Sequence, residues 1–304
     1  MKTPNQARSG SARKRADRTQ QRAVEPRGRK GTGDSQRGRG AKPRSGERRP
    51  AARHDPLANA NPDVLFGRNG VLESLRGRRG PAKRLWIAEG LKPDDRLEQI
   101  RNLAVESDVP VDVAPRMLLD DMTTGANHQG VVLDPADYPY LDLSDLIETG
   151  KTLLILDHVQ DPQNFGALIR AADAVDIGGV ILPQDRSVSV SPSVVNASAG
   201  AVEHVAVALV ANLNRTLERL EAAGYWTAGL DSGAKAVDLF EADLPSPLAL
   251  VVGSEGKGLS QSVRAKCQLL LRIPMNGHVD SLNAATAGTV ALYETLRQQR
   301  PALP

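Results

Sequence analysis

Five polar side chains in the second half of this chain are of types and spacings that could serve one reacting centre: Asn164, Arg170, Glu255, Ser281 and Asn283. Asn164 and Arg170 are six residues apart, one at the entrance of a predicted helix and the other about a turn and a half inside it, so both are expected to face one cleft. Glu255 stands among Gly253, Gly256 and Gly258 in a segment that follows a strand directly. Three glycines around one carboxylate make an open backbone loop that can wrap a small molecule and offer it N–H groups. Neither GxxxxGK[ST] nor GxGxxG matches this loop, so it is not one of the usual phosphate cradles. Ser281, Leu282 and Asn283 open a long predicted helix, where Ser281 could also serve only as the N-cap.

The elements that must position these groups read as a parallel α/β unit. TLLILD (152–157) is an apolar run ending in an Asp, as expected of a buried parallel strand that delivers a polar residue at its C-terminal end. Ligands of open α/β sheets bind at such ends. The next segment, HVQDPQNFGALIRAADAVDIGGVIL, reads as loop, helix and strand; Gly166, with Ala167, Ala171 and Ala172, suits close helix packing. SPSVVNASAGAVEHV (191–205) reads as helix then strand, NLNRTLERLEAAG (212–224) as an amphipathic helix and YWTAGLD (225–231) as a strand. LALVVGSEGKGLS (248–260) runs from strand into the Gly-rich loop. A last strand ends at Ile273 and Pro274, and the final helix carries Ala284, Ala285, Ala287 and Gly288 for close packing.

Before this unit, residues 61–135 alternate strand and helix on a smaller scale. FGRNGVLESLRG (66–77) is helical with Val71, Leu72 and Leu75 on one face; RLWIA, DDRLEQIRNLAVES, PVDVA, Arg116 to Met122 and HQGVVLD follow as strand, helix, strand, helix and strand. The pattern predicts a small α/β sandwich without a catalytic constellation. His128 reads as a structural hydrogen bonder, whereas Arg68 and Asn69, at a helix start, are candidates for phosphate or base contact, with Asn69 alternatively a cap. Residues 136–151, within the stretch 134–151 that carries two prolines, read as an interdomain linker that includes one helical turn.

Charge is divided unevenly. The first 55 residues hold 17 Lys+Arg against 5 Asp+Glu, leaving 22 and 31 for the rest, although the whole chain is only +3. Residues 1–60 are rich in Arg, Gly, Ser and Pro and poor in large apolar residues, so burial cannot offset the entropy of ordering them. A disordered basic tail is expected, suited to RNA through release of counterions. No run of eighteen apolar residues and no signal-peptide pattern occurs, which predicts a cytoplasmic chain with no membrane contact. The single cysteine, Cys267, has no disulfide or zinc-ligand partner within the chain and reads as filler beside a strand.

DHVQDPQNFGALIRAADA (157–174), GSEGKGL (253–259) and IPMNGHVDSLNAATA (273–287) resemble, in order and spacing, the three motifs of the TrmH-type SPOUT RNA 2′-O-ribose methyltransferases. The resemblance covers essentially all of 152–300. Residues 61–135 look like the ribosomal-protein-like substrate-recognition domain of the 23S ribosomal RNA guanosine-2′-O-methyltransferase branch. Two departures are visible: His158 stands where small residues are usual, and LNAATA replaces LNVSVA.

This resemblance implies a parallel α/β sheet whose C-terminal part is threaded as a trefoil knot, with a SPOUT methyltransferase domain over 152–304 and no metal. It implies S-adenosylmethionine as cofactor, held mostly by backbone at Gly253, Ile273 and Leu282. It further implies a homodimer with its site at the subunit interface, across which Arg170 or Asn164 would act. The five polar residues would orient the ribose, with Arg170 deprotonating or positioning the 2′-hydroxyl. The implied substrate is a guanosine of 23S ribosomal RNA; an adenosine, as in the thiostrepton-resistance branch, and transfer RNA are the alternatives. Two rivals are a dinucleotide oxidoreductase and a non-catalytic RNA-binding assembly protein. LDHVQDPQNFG lacks the fingerprint the first requires, and the second has no need of Asn164, Arg170, Glu255 and Asn283 at these spacings.

Overall fold

The computed structural model describes residues 64–300, and the tail expected over 1–60 lies outside the described residues. Seven short elements build the first unit: β1 (Leu65–Phe66), α1 (Arg68–Arg76), β2 (Arg84–Ala88), α2 (Asp95–Glu106), β3 (Val111–Ala114), α3 (Arg116–Met122) and β4 (Val131–Asp134). Their sheet runs β1-β4-β2-β3, antiparallel on both sides of β4 and parallel between β2 and β3. The 3.6-residue period puts Leu97, Ile100 and Ala104 of α2 on one buried face. Asp94 caps that helix by accepting from the Leu97 N–H at 2.9 Å.

The connector is more structured than an ordinary linker. It contains α4 (Leu143–Glu148), whose Leu143 and Leu146 are buried, and Leu141 forms a parallel bridge to Ala208 of the second sheet. The Tyr138 hydroxyl donates to the Val202 and Val205 carbonyls at 3.1 and 2.7 Å, and the Tyr140 hydroxyl accepts from the Val190 N–H at 2.9 Å. Beneath Tyr138, a guanidinium and a carboxylate join the two units. Arg79 donates to both oxygens of Glu203 at 3.0 and 2.9 Å and to the Ala136 carbonyl at 2.9 Å.

The second unit comprises β5 (Leu153–Asp157), α5 (Pro162–Ala174), β6 (Gly179–Pro183), α6 (Pro192–Ala197), a 3-10 turn (Ala201–Glu203), β7 (Val207–Val210), α7 (Leu213–Ala222) and β8 (Trp226–Leu230). It continues with β9 (Val237–Asp238), β10 (Leu248–Gly253), α8 (Gln261–Lys266), β11 (Leu269–Arg272) and α9 (Ala284–Gln299). All pairings in its seven-stranded sheet are parallel, in the order β7-β6-β5-β10-β8-β11-β9. This is the expected α/β class. Every residue of β5 and β10 is buried, as a sheet covered on both faces requires. Each fully buried Leu or Ile there contributes about 1.5–3 kcal/mol.

Chain order along the sheet breaks between β5 and β10: β6 and β7 lie on one side, β8, β11 and β9 on the other. A crevice opens at the carboxyl ends of strands where such a break occurs. The register brings Asp157 and Gly253, the last residues of β5 and β10, side by side. Glycine permits the close packing behind this crevice at Gly166 and Gly288, both among the small residues expected to serve it. A Cβ on Gly166 would stand 2.5 Å from the Ala197 Cβ of α6, and one on Gly288 of α9 would run into Leu168 of α5, whereas Ala167 is exposed. Among the described residues, no helix is long and apolar enough to cross a membrane.

Candidate active site

Asp161 is the N-cap of α5; its carboxylate accepts from the Gln163 and Asn164 N–H groups at 3.1 and 3.3 Å. This fixes Asn164 in the first turn of the helix, not in the preceding loop as expected from sequence, and leaves it buried. The amide of Asn283 performs three tasks. Its Oδ1 accepts from the Ala285 and Thr286 N–H groups at 2.8 and 3.2 Å, which caps α9. Because Oδ1 faces those donors, Nδ2 points the other way, donating to Asn164 Oδ1 at 2.9 Å and to Glu255 Oε1 at 2.6 Å. The cap of the last helix is therefore Asn283, not Ser281, and Ser281 is exposed just before it.

Beyond β10 the chain folds back on itself. Ser254 N–H donates to the Gly258 carbonyl at 3.1 Å and Gly258 N–H returns to the Ser254 carbonyl at 2.9 Å. Gly256 (φ 74°) and Gly258 (φ 64°) occupy the left-handed region this turn needs. Gly253 is required for a different reason: a Cβ there would run into the backbone of Gly258 and Leu259. The far end of the loop is held by buried Asp157, whose Oδ2 accepts from the Ser260 N–H at 2.6 Å. Its Oδ1 pairs with His158 Nδ1 at 2.6 Å.

Two clefts flank this loop and share Ser254, Glu255, Lys257, Gly258 and Ala284 as lining. One, of about 310 Å³, is walled by Leu230, Gly253, Leu271, Ile273 and Leu282, with Asp231, Ser232, Arg272, Asp280 and Ser281 as further polar groups. The other, of about 450 Å³, is lined by Asp157, His158, Asn164 and Arg186. Of the groups singled out from sequence, Gly253, Ile273, Ser281 and Leu282 line the first cleft, Asn164 the second and Glu255 both, while Asn283 ties Asn164 to Glu255. Arg170 departs from expectation. It is exposed and lines neither cleft. At about 100° per residue, six residues turn roughly 240° around the axis, so Asn164 and Arg170 cannot share a face of α5.

Three further residues line the clefts: Asp157, which from sequence reads as the polar end of its strand, His158, which stands out there only as a departure from the family pattern, and Asp231, which sequence reasoning missed. Asp231 lies just past β8 and pairs with Arg264 at 2.6 Å. Both aspartates end an apolar strand, which was the available signal. In the first unit, Arg68 pairs with Asp94 and donates to the Gln129 carbonyl at 3.2 Å, and Asn69 accepts from Arg96 instead of capping α1. Their polar atoms serve the unit itself. His128 is a structural hydrogen bonder, accepting from the Gly130 N–H at 3.0 Å and pairing with Asp120 at 3.0 Å.

Comparison with known proteins agrees with the geometry. Residues 151–293 match the SpoU rRNA methylase family, and residues 64–141 match the domain described as RNA 2′-O ribose methyltransferase substrate binding. The chain is 41% identical over 245 residues to the TrmH family tRNA/rRNA methyltransferase YacO of Bacillus subtilis, covering 79% of this chain and 97% of that protein. This chain belongs to the SpoU/TrmH family of RNA methyltransferases. Among solved members, the SpoU methyltransferase AviRb of Streptomyces viridochromogenes, in complex with AdoMet, superposes with a TM-score of 0.66 at 26% identity, covering 78% of this chain and 90% of that one. An AdoMet-bound rRNA methyltransferase of Sinorhizobium meliloti superposes equally well, 0.66 at 27% identity, covering 78% and 88%.

Proposed function

We propose that this SpoU/TrmH-family chain transfers the methyl group of S-adenosylmethionine to a ribose 2′-hydroxyl of RNA. The favoured target is a guanosine of 23S ribosomal RNA. We also propose that it acts in the cytoplasm as a homodimer, and that the crossing of residues 254–260 and 273–283 forms part of a trefoil knot. The observation that carries the reading is the Asn283 amide, which ties Asn164 in one cleft to Glu255 on the loop between both clefts. Such a link holds the two clefts in fixed register.

The residues of the smaller cleft suit the cofactor. At about 310 Å³ it lies at the lower end of the roughly 300–1,000 Å³ typical of small-molecule sites. Leu230, Leu271, Ile273 and Leu282 offer apolar walls to an adenosine, and the loop 253–258 offers backbone that no Cβ obstructs at Gly253. Bound there, the cofactor supplies an electrophilic methyl whose leaving thioether is neutral.

What remains for the protein is to present a very weak acid, the ribose hydroxyl, in line and to remove its proton. Positioning of this kind contributes much of an enzyme's acceleration. Asn164 has given its Oδ1 to Asn283 and lines the larger cleft, which leaves its Nδ2 as a donor for a ribose or phosphate oxygen. Ser281 offers a hydroxyl and Glu255 a second carboxylate oxygen at the shared rim. Arg170 is always charged and is therefore a poor base; exposed on α5, it suits a phosphate of RNA held across a subunit interface. The four-stranded unit and the basic tail would select and retain the RNA.

The test is methyl transfer from radiolabelled S-adenosylmethionine to purified 23S ribosomal RNA and transfer RNA, with the product mapped by alkaline hydrolysis, to which a 2′-O-methylated linkage is resistant. Label in a 2′-O-methylguanosine of 23S RNA is expected. Label on a base, or in no RNA, would refute the reading; label in an adenosine or in transfer RNA would refute only the target.

A further inference from the structure

His158 carries chemistry that no role above has absorbed. It follows β5 directly, its ring lines the same cleft as Asn164 and Glu255, and its backbone is held at φ 61°, in the left-handed region where side chains are uncommon. Its Nδ1 lies 2.6 Å from Oδ1 of Asp157, a carboxylate that is 1% exposed and whose other oxygen is occupied by the Ser260 N–H. A buried carboxylate of this kind holds the proton on Nδ1 and leaves Nε2 as the acceptor, the same division of labour that orients an imidazole in a Ser-His-Asp triad. Among the described residues, Nε2 has no hydrogen-bond partner, and the side chain is 40% exposed, open enough to pass a proton on to water.

The other charged groups around this cleft are less suited to accept a proton. Asp157 from β5 is engaged at both oxygens, and Asp161 at the start of α5 caps that helix with both of its own. Arg186, between β6 and α6, and Lys257, on the loop after β10, are cations. Glu255 already accepts from Asn283 at Oε1 and is tied by it to the cap of α9.

We propose, on the reading given above, that His158 is the proton acceptor for the ribose 2′-hydroxyl. The hydroxyl proton passes to His158 Nε2, and the O–H electron pair becomes the new O–CH3 bond. The C–S pair leaves with sulfur as a neutral thioether, and the imidazolium then releases its proton to water. Asp157 is a positioning residue that selects the tautomer and stabilises the imidazolium.

The experiment uses His158→Gly, which suits φ 61° better than the native residue, and His158→Asn, which tolerates it. Single-turnover rates are measured across pH, beside calorimetric affinities for S-adenosylmethionine and for RNA. Both variants are expected to transfer methyl about 10²–10⁴-fold more slowly, to bind cofactor and RNA within twofold of wild type, and to lose the limb along which the wild-type rate rises with pH. Added imidazole is expected to restore part of the rate to His158→Gly and nothing to His158→Asn. Wild-type rates and pH profile in both variants would overturn the proposal, as would a loss explained wholly by weaker binding of cofactor or RNA. A wild-type protein that methylates no RNA would instead overturn the function on which the proposal rests.

Discussion

Asn283 donates its side-chain N–H to Asn164 at 2.9 Å while the oxygen of the same amide caps α9. Cap and link can be separated by substitution. Asn283→Asp keeps an oxygen for the Ala285 and Thr286 N–H groups but loses the donor to Asn164 and sets a carboxylate beside Glu255. It is expected to change stability by under about 1 kcal/mol, since Asp and Asn cap equally well, yet to lower turnover at least about tenfold through misplacement of Asn164 and Glu255. Asn283→Ala loses both functions and should add roughly 1 kcal/mol of destabilisation. Thermal melts read the cap and single-turnover methylation reads the link.

The Gly253 backbone admits no Cβ because the chain returning through Gly258 and Leu259 lies against it. Gly253→Ala is expected to push that loop into the smaller cleft and weaken cofactor affinity by at least about tenfold, or 1.4 kcal/mol. Gly277→Ala, at a position with open space around its Cβ, serves as the control. Calorimetric titration with S-adenosylmethionine checks both.

Most elements were legible because apolar residues recur with the period of a helix or a strand. The helices over Asp95–Glu106 and Arg116–Met122 fall where periodicity places them. β9, two residues long, and α4, six residues between prolines and polar residues, are too short to show a period. The site was legible as a set of residues and illegible as a geometry. Nothing in local pattern reveals that Asp157 and Gly253, nearly a hundred residues apart, are register partners. That Asn283 and not Ser281 caps α9 depends on where the preceding loop delivers the chain. The phase of α5 could have been read from sequence, and it separates Arg170 from Asn164 at once.

Arg170 is exposed and lies outside the clefts of its own chain. If it serves the partner's site in a homodimer, Arg170→Ala will fold normally, with stability within about 0.5 kcal/mol of wild type, but methylate poorly. Mixing Arg170→Ala with Asn164→Ala subunits by co-expression will then restore activity, because each mixed dimer retains one site with both residues intact. Recovery toward a quarter of the wild-type rate is expected for random mixing; no recovery would place both residues in one subunit's site.

Cys267 is a free thiol packed near Gly229, and burial, reinforced by Asp157 and Glu221, pushes its pKa up to about 12 from 9.0. A thiol so shifted is almost wholly protonated at pH 8 and is expected to react with iodoacetamide far more slowly in the native protein than in urea. The sign for stability follows. The folded state holds the proton more tightly, so this contribution is intact below pH 9.0 and declines as pH rises toward about 12. Wild type is therefore expected to lose more stability than Cys267→Ala between pH 8 and 10.5, by on the order of 1 kcal/mol. Urea denaturation at the two pH values measures the difference.

Arg79 and Glu203 form a buried polar joint between the two units, with side chains only 6% and 0% exposed. Burial raises the Glu203 pKa and the neighbouring Arg79 pulls it back down, so the pair resolves a desolvation cost more than it adds attraction. Removing one partner is consequently worse than removing both. Arg79→Met leaves a buried carboxylate without its hydrogen-bonded partner and is expected to cost about 3–5 kcal/mol, while Arg79→Met combined with Glu203→Met recovers most of that loss. The single variant should also respond to pH in a defined direction. With Arg79 gone the Glu203 pKa rises further, so its protonated form is tolerated in the fold, and the destabilisation shrinks as pH falls from 8 to 5. Guanidinium melts of both variants at these two pH values check the magnitude and the sign. A single variant as stable as wild type at pH 8 would show that the other cross-unit contacts, made by Tyr138, by His204 with Glu73, by Arg78 and by the backbone, hold the units together.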